Sequence, residues 1–155
     1  MSGVRSIVIA FACAGAACET VTNDSASNPA LTLDEAVFRC KVEPILARQC
    51  SFNACHGNAG SPLRIYTPGK LRAAPPADID AAIAPLTDAE HHANFLSAAG
   101  FNFNIAAVDD NWLLRKPLPS GEGGYAHKGG VIYTGGSDPQ YSTIRGWLTG
   151  TARCP

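Results

Sequence analysis

The stretch Cys50-Ser51-Phe52-Asn53-Ala54-Cys55-His56-Gly57 constrains this chain more than any other. Two thiols are followed at once by an imidazole, so three groups with affinity for metals or electrophiles must be accommodated in one loop. A cysteine pair ending in Cys-His is the pattern by which a c-type haem is attached, each thiol adding to a vinyl group as a thioether. His56 is then held where a ring nitrogen reaches the iron from one face. The common pattern has two residues between the cysteines; here Ser51 to Ala54 make the gap two residues longer.

The N-terminus reads as an address. Arg5 supplies a positive charge, and Ile7 to Ala12 begin an apolar run too short to span a bilayer. Gly15-Ala16-Ala17-Cys18 reads as a small-residue cleavage site, and the segment resembles a bacterial lipoprotein signal with Cys18 as the lipid-modified first residue. The expectation is a signal peptide over 1–17, a flexible tether over 18–31 and a folded domain over 32–155. Ser, Thr and Asn dominate the tether. The domain is expected outside the cytoplasm, in the periplasm or at the outer membrane, where haem attachment and disulfides are both permitted. A membrane is expected as partner only through the lipid. With 12 basic and 13 acidic residues, nothing marks the chain for nucleic acid.

Helical signals punctuate the domain. Thr32 and Glu35 form a capping box, predicting a helix from Leu33 to about Gln49 with a kink or restart at Pro44. Residues 57–76 read as loop, with Pro62 to Tyr66 extended. Thr87 and Glu90 form a second box, opening a helix over 88–99 that Gly100 stops. A third helix is predicted over 107–115, burying Trp112, Leu113 and Leu114. A glycine-rich loop over 120–136 carries His127. No strand precedes its glycines and no helix begins on them, so they do not form a phosphate-binding fingerprint. The last helix starts at Ser137 or Asp138 with Pro139 in its first turn, and Tyr141, Ile144, Trp147 and Leu148 share its apolar face. Arg64, Lys70 and Arg72 are candidates for pairing with haem carboxylates, against the plainer reading of solvated surface charge.

An iron that shuttles electrons needs a second strong axial ligand, usually Met or His. Cleavage of the leader removes Met1, the one methionine. The candidates are therefore His91, His92 and His127. Zinc suits the motif poorly, because Cys50, Cys55 and His56 are crowded and no second Cys/His pair follows at finger spacing.

An amphipathic helix running through Val42-Glu43-Pro44-Ile45-Leu46 into the cysteine motif resembles the start of a cytochrome c domain. Further along, Leu113 to Leu118, Ala126-His127-Lys128-Gly129-Gly130, Ser137 to Tyr141 and Trp147-Leu148 are similar to the C-terminal half of cytochrome c-like domains in exported planctomycete and myxobacterial proteins. The likeness spans Leu33 to Thr151. It implies an all-α fold, three to four short helices with long Gly/Pro-rich loops around one covalent haem c. It implies Cys50 and Cys55 as attachment points, His56 as proximal ligand, and His127 as distal ligand from the loop before the last helix. Because the first and last helices of that fold cross, it also implies a Cys40–Cys154 disulfide. The function implied is electron transfer with an unidentified redox protein, not enzymatic catalysis. Two alternatives stand beside it: a haem-free structural or binding lipoprotein with a Cys50–Cys55 disulfide, and a haem peroxidase or sensor with one iron face open.

Overall fold

The computed structural model of the chain describes residues 33–102 and 107–155. The expected leader, the expected lipidation site Cys18, the tether and the Thr32 cap lie outside these residues. Among the described residues the secondary structure is helical with no strand, as the all-α reading requires. No helix among them is long and apolar enough to cross a membrane.

Helix α1 is three segments in unbroken succession: Glu35–Val37 and Glu43–Gln49 are α-helical, and Phe38–Val42 between them is π-helical. Its N-cap is Asp34 rather than Thr32. The Asp34 carboxylate accepts from the Val37 N–H at 3.0 Å, which Asp does as well as Thr. Leu33 just before the cap and Phe38 four residues into the helix both join the core, the arrangement of a hydrophobic staple. Pro44 lacks an N–H, and its ring clashes with the carbonyl four residues back in a regular helix. The chain meets this with the π segment, in which the Glu43 N–H reaches the Phe38 carbonyl, and restarts as α-helix with Pro44 in its first turn.

Helix α2, Ile79–Ile83, is capped by Asp78, whose side chain accepts from the Ala81 N–H at 2.8 Å. Helix α3, Asp88–Ala99, carries the full Thr87–Glu90 capping box and ends at Gly100 as expected. The helix predicted over 107–115 is instead a 3₁₀ turn, Val108–Asp110, followed by a short helix α4, Trp112–Arg115. The buried Asn111 breaks it with extended backbone. Its side chain accepts from the Leu113 N–H at 2.9 Å and donates to the Phe101 carbonyl at 3.1 Å, bonds a helical path would not allow. The break also turns Trp112 outward. Leu113 and Leu114 are buried as expected, but Trp112 is 45% exposed. Helix α5, Pro139–Leu148, is capped by Asp138 and buries Tyr141, Ile144, Trp147 and Leu148.

Three of these helices meet at an aromatic trio. Phe38 of α1, Phe95 of α3 and Trp147 of α5 have ring centres 5.3 to 6.3 Å apart. The Trp147 indole N–H donates to the Asp34 carbonyl at 2.9 Å, and a Cys40–Cys154 disulfide closes the same end of the molecule. The 62–67 segment is extended and pinned rather than free. Asn94 on α3 exchanges two bonds with the Tyr66 backbone, at 2.7 and 2.9 Å, and donates to the buried Glu43 at 2.7 Å.

Candidate functional site

Helix α1 delivers its last turn to the cysteine motif, with the Cys50 N–H bonded to the Leu46 carbonyl at 2.8 Å. The chain then folds back tightly. Cys55 and Gly57 donate to the Phe52 carbonyl, and His56 donates to the Cys50 carbonyl. Glycine is required at 57, because a Cβ there would lie 2.2 Å from the Ser51 carbonyl oxygen. Lys70 holds this turn from outside, donating to Ser51 Oγ at 2.9 Å and resting 4.5 Å from the centre of the Phe52 ring.

The turn presents His56 to a cleft of about 260 Å³, also lined by Leu46, Cys50, Leu63, Phe101, Leu113, Pro117 and Tyr133 among others. The far wall is the glycine-rich loop. Both of its ends return to the α4 exit: the Tyr125 N–H bonds the Arg115 carbonyl, and the N–H groups of Ile132 and Tyr133 share the Pro117 carbonyl. This hangs Ala126, His127 and Lys128 over the cleft. Gly129 faces the His127 ring, where a Cβ would come within 2.8 Å of Cε1.

The two imidazoles therefore face one space. Their ring centres are 6.0 Å apart and their planes differ by 18°. His56 Nδ1 is engaged by the Leu63 carbonyl at 2.8 Å and by Ser61 Oγ at 3.0 Å. His127 Nδ1 is engaged by the Gly130 carbonyl at 3.2 Å. No described residue bonds either Nε2. An imidazole whose Nδ1–H is donated to a carbonyl has its tautomer fixed and Nε2 left as a lone-pair donor, the usual state of a metal-binding histidine. Burial, opposed by the Leu63 hydrogen bond and reinforced by the nearby His127, lowers the pKa of His56 and keeps it in that neutral form.

Other expected residues are placed as follows. Cys50 lines the cleft; Cys55 is half-buried outside the lining, and both are free thiols. Burial first, and the neighbouring Cys55 second, push the Cys50 thiol up to about 11, so it is held as the thiol. His91 and His92 are not on the cleft. Their Nδ1 atoms bond the α1 carboxylates, Glu43 at 2.6 Å and Glu35 at 2.9 Å. Arg72 is committed elsewhere as a two-pronged partner of Glu90, at 2.9 Å for both contacts, and as a donor to the α2 carbonyls of Ala81 and Ala82 and to Ala84. Its guanidinium, aided by backbone donors and opposed by burial, holds Glu90 down at about 2. Arg64 lies over Tyr66. The cations that do line the cleft are Lys116 and Lys128, neither of which stood out in the sequence as a carboxylate partner. Tyr133 was also missed, since a lone tyrosine after a glycine-rich loop carries no signal of its own.

Among the described residues no group of three or more His, Cys, Asp or Glu side chains gathers as a site for a bare metal ion. What the cleft offers is a pair of near-parallel imidazoles, a thiol, two lysine side chains and apolar walls. Comparison of the chain with protein families, with curated proteins and with solved structures finds no match.

Proposed function

We propose that the chain is an exported monohaem c-type cytochrome with a cytochrome c-like arrangement of helices, transferring electrons to and from a partner protein. The spacing of His56 and His127 carries this reading. A metal–imidazole bond is about 2 Å long and the ring centre lies roughly 1 Å behind the nitrogen, so two imidazoles on opposite faces of one metal have centres roughly 6 Å apart. The pair here is 6.0 Å apart, with both Nε2 atoms uncommitted. Two protein ligands are too few for a bare ion and are the number wanted by a metal whose other four positions a macrocycle fills. Haem is such a group, and the chemistry it supplies when bound is one-electron transfer.

The chain's own residues divide the remaining work. Cys50 and Cys55 are the attachment points, with Cys50 already on the cleft wall. His56, braced by two partners, is the proximal ligand, and His127 the distal one. Leu46, Leu63, Phe101 and Leu113 exclude water from the site, and Lys116 and Lys128 offer charge to the two acid side chains. Export and lipidation at Cys18 belong to the same proposal and supply the compartment in which attachment occurs.

Expression together with a haem-attachment system tests the reading. Haem that stays with the polypeptide through denaturation, and a low-spin six-coordinate spectrum in the native protein, are the expected results. Colourless protein refutes the proposal, and a native high-spin spectrum moves it toward a sensor or peroxidase with one open face.

A further inference from the structure

The loop that carries His127 is held by a side chain as well as by main-chain bonds. Arg115, the last residue of α4, donates from Nε to the Gly123 carbonyl at 2.8 Å. Its guanidinium lies over the Tyr125 ring, 4.1 Å from the ring centre, and its backbone carbonyl accepts from the Tyr125 N–H at 3.2 Å. Nη1 donates to Asp110 at 2.7 Å, which anchors the guanidinium to the 3₁₀ turn before α4. Gly123 and Gly130 both have positive φ, 80° and 76°, so the chain bends at a glycine on either side of residues 124–129. Bends of this kind are where a loop swings. Arg115 grips the first bend at its own carbonyl, and it grips Tyr125 two residues before His127. The pair with Asp110, whose side chain is 54% exposed, adds little stability by itself. The other contacts all fall on one loop. A planar fork makes them together, whereas a lysine ammonium has no flat face for the ring and no second fixed donor.

We propose that Arg115 is a positioning residue for His127, latching residues 123–125 so that the loop stays closed over the cleft and the imidazole stays at the distal position. The proposal rests on the haem reading and adds to it what governs release of the distal ligand. Arg115 touches neither His127 nor the cleft lining and acts through the loop alone. Opening the loop at Gly123 breaks the bond from Nε and uncovers the Tyr125 ring, so the latch sets how often the sixth position of the iron becomes free to an outside ligand. A charge-assisted bond of this kind is worth about tenfold or more in such an equilibrium.

The test mixes ferric haem-loaded protein with saturating cyanide and follows the Soret shift by stopped flow, where departure of His127 limits the rate. Wild type is compared with R115Q and with R145Q. The second variant removes the Arg145–Asp109 pair, which is bonded to the same 3₁₀ turn but touches nothing in the loop. All three are expected to be low-spin before mixing. Cyanide should bind about tenfold faster in R115Q and at the wild-type rate in R145Q. A wild-type rate in R115Q overturns the assignment and leaves the haem reading standing. An equal rise in R145Q also overturns it, because general loosening then explains the effect. Should R115Q fail to accumulate, Tyr125→Leu decides, since it removes the ring and keeps the backbone. A rate about two- to fivefold above wild type supports the latch, and an unchanged rate overturns it. Colourless wild-type protein overturns both the latch and the haem reading.

Discussion

Replacing Cys40 and Cys154 together by alanine removes the disulfide at small cost in packing, since both residues are exposed. The effect falls on the unfolded chain. The bridge spans 114 residues of sequence, and the chain-entropy relation assigns a loop of that size about 5 kcal/mol of stabilisation at 25 °C. Typical domains have about 5–15 kcal/mol in all, so a third or more of the stability is at stake. The folded state should survive at room temperature, because the Trp147–Asp34 hydrogen bond and the Phe38–Phe95–Trp147 trio hold the same helices together. Urea titration followed by tryptophan fluorescence measures the loss, and melting should fall by roughly 20 °C. The urea m-value should rise, because the unbridged unfolded chain exposes more surface. A loss below about 1 kcal/mol with an unchanged m-value would refute the entropic account and imply that the ends of the chain stay associated when the rest unfolds.

His127→Ala should convert the low-spin spectrum of the haem-loaded protein to high-spin, while H91A and H92A leave it unchanged; a spectrum indifferent to His127 refutes the distal assignment. Gly129→Ala sets a methyl group 2.8 Å from the His127 ring, so added imidazole should compete for the distal position at lower concentration than in wild type, which an optical titration reads directly. Glu90 is held at about 2 against an ordinary 4.5, so its contribution is fully present above pH 4.5 and is lost as pH falls through 2. E90Q should cost about 2–3 kcal/mol near neutral pH, the gap from wild type closing between those two values in pH-dependent melts; a pH-independent gap would mean that packing rather than charge is lost.

The helices were legible where a cap and an apolar stripe agreed, as at Thr87–Glu90 and at Asp138–Pro139 with its Tyr141, Ile144, Trp147 and Leu148 face. Reading failed where one polar side chain chose between local bonds. Asp34 displaced Thr32 as cap, and Asn111 split a nine-residue helix and turned Trp112 outward. Pro44 was visible as a disruption, but whether the chain would kink or insert a π turn depends on the packing of Phe38 and Val42, which no local rule contains. At the site, His56 and the cysteines stood out because their spacing is chemical. The pairing of Cys40 with Cys154 followed from the likeness to a known arrangement and is present in the structure. The placement of Lys128 and Tyr133 on the cleft was not legible, since it comes from a loop that returns to the Pro117 carbonyl. Arg72 drew notice as a free charge for the opposite reason: its partner Glu90 is near only after α3 has folded.

The π segment of α1 also has a bearing on how such a chain varies by descent. A π turn accommodates one residue more than the α-helix it interrupts, and each residue in an α-helix advances the chain by about 100°. Residues before Phe38–Val42 face Trp147 and the chain's end, while those after it lead to Cys50 and the cleft. Deleting a single codon within that segment would remove the wide turn that accommodates Pro44 and set its ring against the carbonyl four residues back. The irregular turn acts as a spacer for the proline, and deletions should be far less tolerated there than in the surface loop around α2, which contributes no residue to the cleft lining.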